Sequence, residues 1–279
     1  MFRKLILFCS ICYLFASCEQ SDPNSIHKNR VIKDSGDFVF SGYGWRIKSS
    51  TFPVGPGPNI FSKDKSNVWV DSNGYLHLKI TNNNGKWQSS EIICTENTGY
   101  GTYIFTLGND ITQMNENIVL GLFTWDDNTF TSQANSEVDI EFARWFKAND
   151  SLLLTTSVQP VSFDNSVPFA ERTHKPAMIV SKMKQPTTHA FKWTDKEIVW
   201  NSYVGKSYPG LEQIANWRYD LTNQPRVKTE GGRSSNAIVI PQPGNTTNTR
   251  MNLWLLNGLA PTNGKTFEVI IEKYDFIPA

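Results

Sequence analysis

The stretch Ser136-Glu137-Val138-Asp139-Ile140-Glu141-Phe142 alternates acidic and apolar residues without a break. Strict alternation is the pattern of a strand with one wet face and one buried face. Val138, Ile140 and Phe142 are therefore expected in a core, with Glu137, Asp139 and Glu141 together on the opposite side. Three carboxylates on one face repel one another. A strand that merely met solvent would need lysines or arginines on its neighbours to neutralise the row, and that plain alternative stands beside a functional one. An active site gains from the row, because unequal surroundings push carboxyl pKa values apart and yield one acid and one base.

The spacing adds a mechanism. Same-face positions lie about 6.6 Å apart at Cα, which starts Glu137 and Glu141 about 13 Å apart. Both are long side chains and Asp139 between them is short, so the outer two can lean together. Retaining glycosidases hold their two carboxyl groups about 5–5.5 Å apart, and inverting ones hold them wider.

The chain has 279 residues, enough for a single large domain. Lys and Arg total 27 against 26 Asp and Glu, a net charge of +1 that offers neither a basic field for nucleic acid nor an acidic tail. Aromatic content is 13%, enough to furnish a core and flat platforms for sugar faces as well. Helical periodicity is weak, and short runs rich in Val, Ile, Thr and aromatics recur between Gly, Asn, Asp and Pro clusters. The expected class is all-β, a sandwich of antiparallel strands.

Residues 1–17 read as a lipoprotein signal peptide. Arg3 and Lys4 precede an apolar run from Leu5 to Phe15 that is too short for an ordinary spanning helix. Leu14-Phe15-Ala16-Ser17-Cys18 resembles a bacterial lipobox, which makes Cys18 the expected lipidation site; plain secretion with cleavage near a small residue is the alternative. Residues 18–36 are expected to form a flexible tether and 37–279 the catalytic domain. The protein would then be exported and lipid-anchored to the outer membrane or cell surface, meeting membrane only through that lipid, and is expected to be a monomer. Cys94 would be the one cysteine left for the domain, so no disulfide framework or thiolate metal cluster is expected.

Along the domain, Asn67–Val70 and Tyr75–Ile80 flank Asp71-Ser72-Asn73-Gly74 as a hairpin. Pro53–Pro58 reads as a surface loop. Further strands are expected at Tyr100–Leu107, Ile118–Trp125, Leu152–Val158, Ala190–Trp193, Ile198–Trp200, Ala237–Ile240, Arg250–Leu256 and Phe267–Phe276. The segment Gly205–Thr249 is loop-rich, with one helical turn expected at Leu211–Trp217.

These segments together resemble glycoside hydrolase family 16, most closely its licheninase- and laminarinase-like members. The Glu-x-Asp-x-Glu motif is filled by Glu137, Asp139 and Glu141. Gly99–Tyr103, Gly121–Trp125, His189–Trp193 and Met251–Trp254 match further strands in the expected order. The resemblance implies a curved jelly-roll sandwich with a glycan cleft across its concave sheet, and retaining endo-hydrolysis of a β-glucan polysaccharide. By match, Glu137 is the nucleophile, Glu141 the general acid/base, and Asp139 orients Glu137. Trp125 and Trp254 would stack on sugar rings, Asn252 would bond hydroxyls, and Glu91 would be a cleft acid. No cofactor is required, although family members often hold a structural calcium.

Each of these also has a bland reading: core for the two tryptophans, a strand end for Asn252, an exposed edge for Glu91. His189 reads as structural, and Asp126-Asp127 as a turn in preference to a cation ligand. The chain departs from the licheninases at Asn135, where they have Trp, at Ile93, where they have a cleft Arg, at His189, where they have Tyr, and around Ser157–Gln159. These departures leave the linkage open among β-1,3, mixed β-1,3/1,4 and galactan. A glycan-binding protein without turnover and a transglycosylase are the alternative functions.

Overall fold

Alternating side chains build two antiparallel sheets that bury a common interior. The computed structural model describes residues 31–129, 134–151, 153–159, 172–177, 180–220, 222, 229–230, 233–234 and 240–279. Strands β1 (Phe38–Phe40), β2 (Tyr43–Ile47), β3 (Val68–Val70), β4 (Leu76–Asn83), β5 (Lys86–Gln88) and β6 (Ser90–Cys94) come first. β7 (Gly101–Leu107), β8 (Ile118–Trp125), β9 (Val138–Ala143), β10 (Leu154–Val158), β11 (Thr173–His174) and β12 (Thr187–Trp193) follow. β13 (Glu197–Val204), β14 (Glu212–Asp220), the short pair β15 (Thr229–Glu230) and β16 (Arg233–Ser234), β17 (Asn248–Leu255) and β18 (Phe267–Pro278) complete the order.

One sheet runs β1-β2-β6-β17-β8-β9-β10-β11, and the other β14-β13-β12-β7-β18-β4-β3 with β5 added to β4. Each strand of the first sheet turns one alternate set of side chains inward. Ile92, Leu120, Leu122, Val138, Ile140, Phe142, Met251 and Leu253 are all fully buried or nearly so. The second sheet meets them with Tyr103, Phe105, Phe191, Trp193, Ile198, Trp200, Val269, Ile271 and Tyr274. A register shift between Ile271 and Lys273 in β18 lets Val269, Ile271 and Tyr274 all point inward, as a bulge re-aims side chains. Tyr274 then packs edge-on against Trp45, with ring centroids 5.3 Å apart.

The jelly-roll sandwich expected from the sequence is present, and so is the hairpin at residues 71–74. The Asp71 carboxylate accepts from the backbone N–H groups of Asn73 and Tyr75 at 2.8 and 2.9 Å, closing the turn between β3 and β4. Cys94 is buried, as is His189. His189 hydrogen-bonds Ser202 and Thr187, each at 2.8 Å, and packs its ring on Phe142 of the facing sheet. Burial lowers its pKa to about 3, so it is a neutral core residue.

One expectation is overturned. Leu211–Trp217 is not a helical turn: residues 212–220 form β14, paired antiparallel with β13. Trp217 lies opposite Trp200 in that pairing and stacks on it at 4.7 Å, and Tyr219 enters the core. Cross-strand aromatic packing outweighs the local three-residue spacing of Leu211, Ile214 and Trp217; Leu211 itself is fully exposed.

Ile32–Ala279 form one compact unit. At its start, the Ser35 carbonyl accepts from Trp45 N–H at 3.2 Å, so the end of the expected tether is already held on β2. The signal peptide, Cys18 and the strand expected at residues 237–239 lie outside the described residues. Among the described residues no helix is long and apolar enough to cross a membrane.

Candidate active site

The outward face of the first sheet is organised in rows, because antiparallel pairing sets one residue of each strand beside its neighbours. One row reads Glu91, Asn252, Gly121, Glu141, Thr155 across β6, β17, β8, β9 and β10. The next reads Ile93, Arg250, Phe123, Asp139, Ser157 over the same strands. Glu137 precedes β9 and continues its outward set beyond Asp139. A cleft of about 180 Å³ opens on this face. It is lined by Glu137, Asp139 and Glu141 and also by Glu91, Trp125, Asn252 and Trp254. The structure thus brings every cleft residue expected from the sequence into one place.

The start of β9 is set by an unusual turn. Ala134, Asn135 and Ser136 have φ of 46°, 60° and 52°, three consecutive left-handed residues that cost free energy and need external support. Asn135 Nδ2 donates to the Asp126 carbonyl at 2.9 Å, and Ser136 Oγ donates to the Gln242 carbonyl at 2.6 Å. Thr124 Oγ1 donates to the Ser136 carbonyl at 2.9 Å and accepts from Val138 N–H at 3.1 Å. Asn135 is therefore a buried tie to the Asp126 backbone. Asp126 is also structural: its buried carboxylate accepts from the hydroxyls of Thr246 and Thr247 at 3.0 and 2.8 Å.

Asp139 is the best-held member of the trio. Its carboxylate accepts from Ser157 Oγ and Gln159 Nε2, both at 2.9 Å, and it shares a hydrogen bond with Glu137. Burial raises its pKa to about 6, against the pull of those three hydrogen bonds. Glu137 is held well above the ordinary carboxyl range by burial first, then by the charges of Asp139 and Glu141. Glu141 is likewise held high by burial and by Asp139. The three groups cannot all ionise together near neutral pH, so the cleft retains a proton that an acid catalyst can use.

The far side of the cleft is charged and paired. Glu91 is buried and ion-paired to Lys48 at 2.9 Å, with Arg250 at 3.7 Å. Lys48 also donates to the Gly55 carbonyl at 2.7 Å, which draws the Pro53–Pro58 loop over the cleft, where Gly55 and Pro56 line it. That loop is thus part of the site and not only surface. Asn252 is buried, and its Oδ1 has no hydrogen-bond partner among the described residues. Gly121 makes room for it: a Cβ at 121 would stand 2.5 Å from that oxygen. Trp125 Nε1 donates to Asp127 at 2.7 Å, and Trp254 packs with Phe61, Val119 and Ala143 in a separate apolar cluster at the cleft.

Sequence reasoning missed Lys48, Gly121, Phe123, Arg250, Ser157 and Gln159. Two-residue alternation carried back from Asn252 reaches Arg250, and carried back from Trp125 it reaches Phe123 and Gly121. Lys48, Ser157 and Gln159 join only through pairing between distant strands. Arg250 stands directly across the β6–β17 pair from Ile93, so a guanidinium is present in the cleft although β6 does not supply it. Among the described residues no group of three or more His, Cys, Asp or Glu could hold a metal ion.

No protein-family model matches the chain, and no curated protein does. Solved structures do. The Bacillus licheniformis beta-glucanase is 17% identical with a TM-score of 0.55, covering 88% of this chain and 97% of that one. The Bacteroides ovatus mixed linkage glucan PUL GH16, in complex with a G4G4G3G product, is 15% identical at TM-score 0.58 and covers 88% and 98%. A protein of Mycobacterium tuberculosis described as an immunostimulatory antigen and pseudo beta-1,3-glucanase is 13% identical at TM-score 0.58, covering 88% and 97%. The chain therefore has the jelly-roll fold of the beta-glucanases, over most of its length and most of theirs.

Proposed function

We propose that this chain is a retaining endo-glycosidase of glycoside hydrolase family 16 type that cleaves a β-glucan, β-1,3 or mixed β-1,3/1,4. The observation that carries the reading is the convergence of Asp139 and Glu141 on β9, and Glu137 just before it, on the floor of an open cleft. In the first step a Glu137 carboxylate oxygen bonds the anomeric carbon while the glycosidic C–O bond breaks. Glu141 gives its proton to the departing oxygen. Loss of the Glu137 charge then lowers the affinity of Glu141 for a proton. Glu141 takes a proton from water, the water oxygen bonds the anomeric carbon, and Glu137 leaves as carboxylate. Asp139, held by Ser157 and Gln159, fixes the orientation of Glu137. The free Oδ1 of Asn252 accepts from a sugar hydroxyl, and Trp125 and Trp254 supply ring faces.

The test is release of reducing ends from a panel of glucans, with product sizing and the anomer of the first product read by NMR. Glu137→Gln is expected to lose turnover by at least about 10³-fold; a variant that keeps wild-type turnover refutes the reading. Likeness to a pseudo beta-1,3-glucanase favours a second reading, glycan binding without turnover. It predicts oligosaccharide binding by calorimetry and no new reducing ends. Products longer than the substrate in the presence of acceptor sugars would mark a transglycosylase. Export and lipid anchoring through Cys18 form part of the proposal; Cys18→Ser is expected to release the protein from the membrane fraction.

A further inference from the structure

We propose that Arg250 is the positioning residue that biases the carboxyl trio toward carrying negative charge at its Glu137 end, in preference to Glu141. This rests on the glycosidase reading and names the group that divides the two roles. By backbone position alone the trio is symmetric about Arg250. Arg250 lies in the row of Asp139, two strands away, with Glu137 one row to one side and Glu141 one row to the other. The side chain breaks the symmetry. Its Nε donates to Asn248 at 3.0 Å, its Nη2 lies 3.6 Å from Asp127, and its guanidinium lies over the Trp125 ring at 5.2 Å. All three anchors stand at the Glu137 end of the cleft, where Trp125 pairs with Asn248. Glu91 holds Nη1 from behind at 3.7 Å. The four contacts leave the guanidinium little freedom to swing toward Glu141.

The groups around Glu137 sort accordingly. Burial, the charges of Asp139 and Glu141, and the hydrogen bond shared with Asp139 all oppose its ionisation, and Arg250 from β17 is the cation that favours it. Glu91 on β6 and Asp127 after β8 face Arg250 and temper its charge, and Lys48 after β2 is spent on Glu91. Glu141 has a cation of its own in Lys175, beyond β11. Screening decides between them. The Lys175 side chain is 33% exposed and sits 4.0 Å from Asp150, whereas the Arg250 side chain is 12% exposed. A buried charge is screened far less than a wet one, so the bias toward Glu137 prevails.

The experiment is a carboxyl-carbon NMR titration of the full protein with labelled glutamate, Glu137 being assigned by its loss in Glu137→Gln. Arg250→Met is expected to raise the Glu137 midpoint by about 1–3 pH units, the range for removing one nearby opposite charge. Arg250→Lys should move it much less, and Lys175→Met should leave it in place. The acidic limb of kcat/KM should follow the same order. Arg250→Gln repeats the neutral test if Met impairs folding. An unmoved Glu137 in the neutral variants, an equal movement in the Lys variant, or an equal movement from Lys175→Met would each overturn the proposal. The titration needs no turnover, so a wild-type protein inert on every glucan would sink the glycosidase reading and leave this result to stand or fall alone.

Discussion

Gly121→Ala is the most telling small change the cleft allows. Gly121 lies in the middle of β8, beside Glu141 on one side and Asn252 on the other. An added Cβ would come 2.5 Å from Asn252 Oδ1, 3.4 Å from its Cγ and 3.6 Å from Phe123 Cδ1. Only the first contact is too close, and reaching an ordinary 3.4 Å requires the amide to retreat by about 0.9 Å. A misplacement of that size at a substrate-positioning group costs on the order of 10²-fold in rate. Stability should fall by about 0–2.5 kcal/mol: overpacking costs about 1–3 kcal/mol, offset in part by the about 0.5–1 kcal/mol that Ala gains over Gly in a strand. Kinetics on the best glucan, calorimetric binding of an oligosaccharide and a thermal melt measure the three effects. The decisive control is the same substitution in an Asn252→Ala background, where the methyl group has room. There Gly121→Ala should be nearly neutral, the mark of two residues sharing one contact. Full activity in the single variant, or equal loss in both backgrounds, would refute the reasoning that Asn252 meets the substrate through the space Gly121 leaves.

Two predictions concern pH and have opposite signs. Asp139 binds its proton more tightly folded than unfolded, at about 6 against an ordinary 3.8. Its contribution, on the order of 3 kcal/mol, is therefore present below about pH 4 and lost as pH rises through 6. The melting temperature of Asp139→Asn relative to wild type should climb between pH 4 and 7, and a flat difference would count against the buried carboxyl. Asp126 runs the other way: burial raises its pKa, but donors from Thr247, Asn128 and Thr246 together bring it below the ordinary value. Thr247→Val should cost about 1–3 kcal/mol at neutral pH, with the penalty shrinking as acid protonates Asp126. Ala134→Gly removes one left-handed alanine from the turn before β9. It should stabilise by roughly 1 kcal/mol, or about 2–4 °C in a melt, without altering kcat.

The core strand of the site was legible because period-two alternation needs nothing beyond its own residues. Val138, Ile140 and Phe142 are buried, and the carboxyls between them face the cleft. The hairpin at Asp71–Gly74 was legible for the same reason, since an Asp side chain closing its own turn is a local act. Ser157 and Gln159 were not, because they reach Asp139 only through the β9–β10 register, which no local pattern encodes. The β14 strand was misread because its decisive partner, Trp200, lies on β13. The Pro53–Pro58 loop reads as surface until Lys48 ties it to Glu91.

The cross-strand rows have an evolutionary corollary. Each position along the groove is furnished by several strands, one residue apiece, so a lineage can retune how a saccharide is gripped by exchanging single letters on β6, β8 or β17. The acid-bearing segment need not change. Length is a different matter: one inserted residue in β8 would send Gly121 and Phe123 inward and Leu120 and Leu122 outward, exchanging groove for interior at a stroke. Divergence in this scaffold is thus expected to proceed by replacement within strands and by growth or trimming confined to the connecting segments.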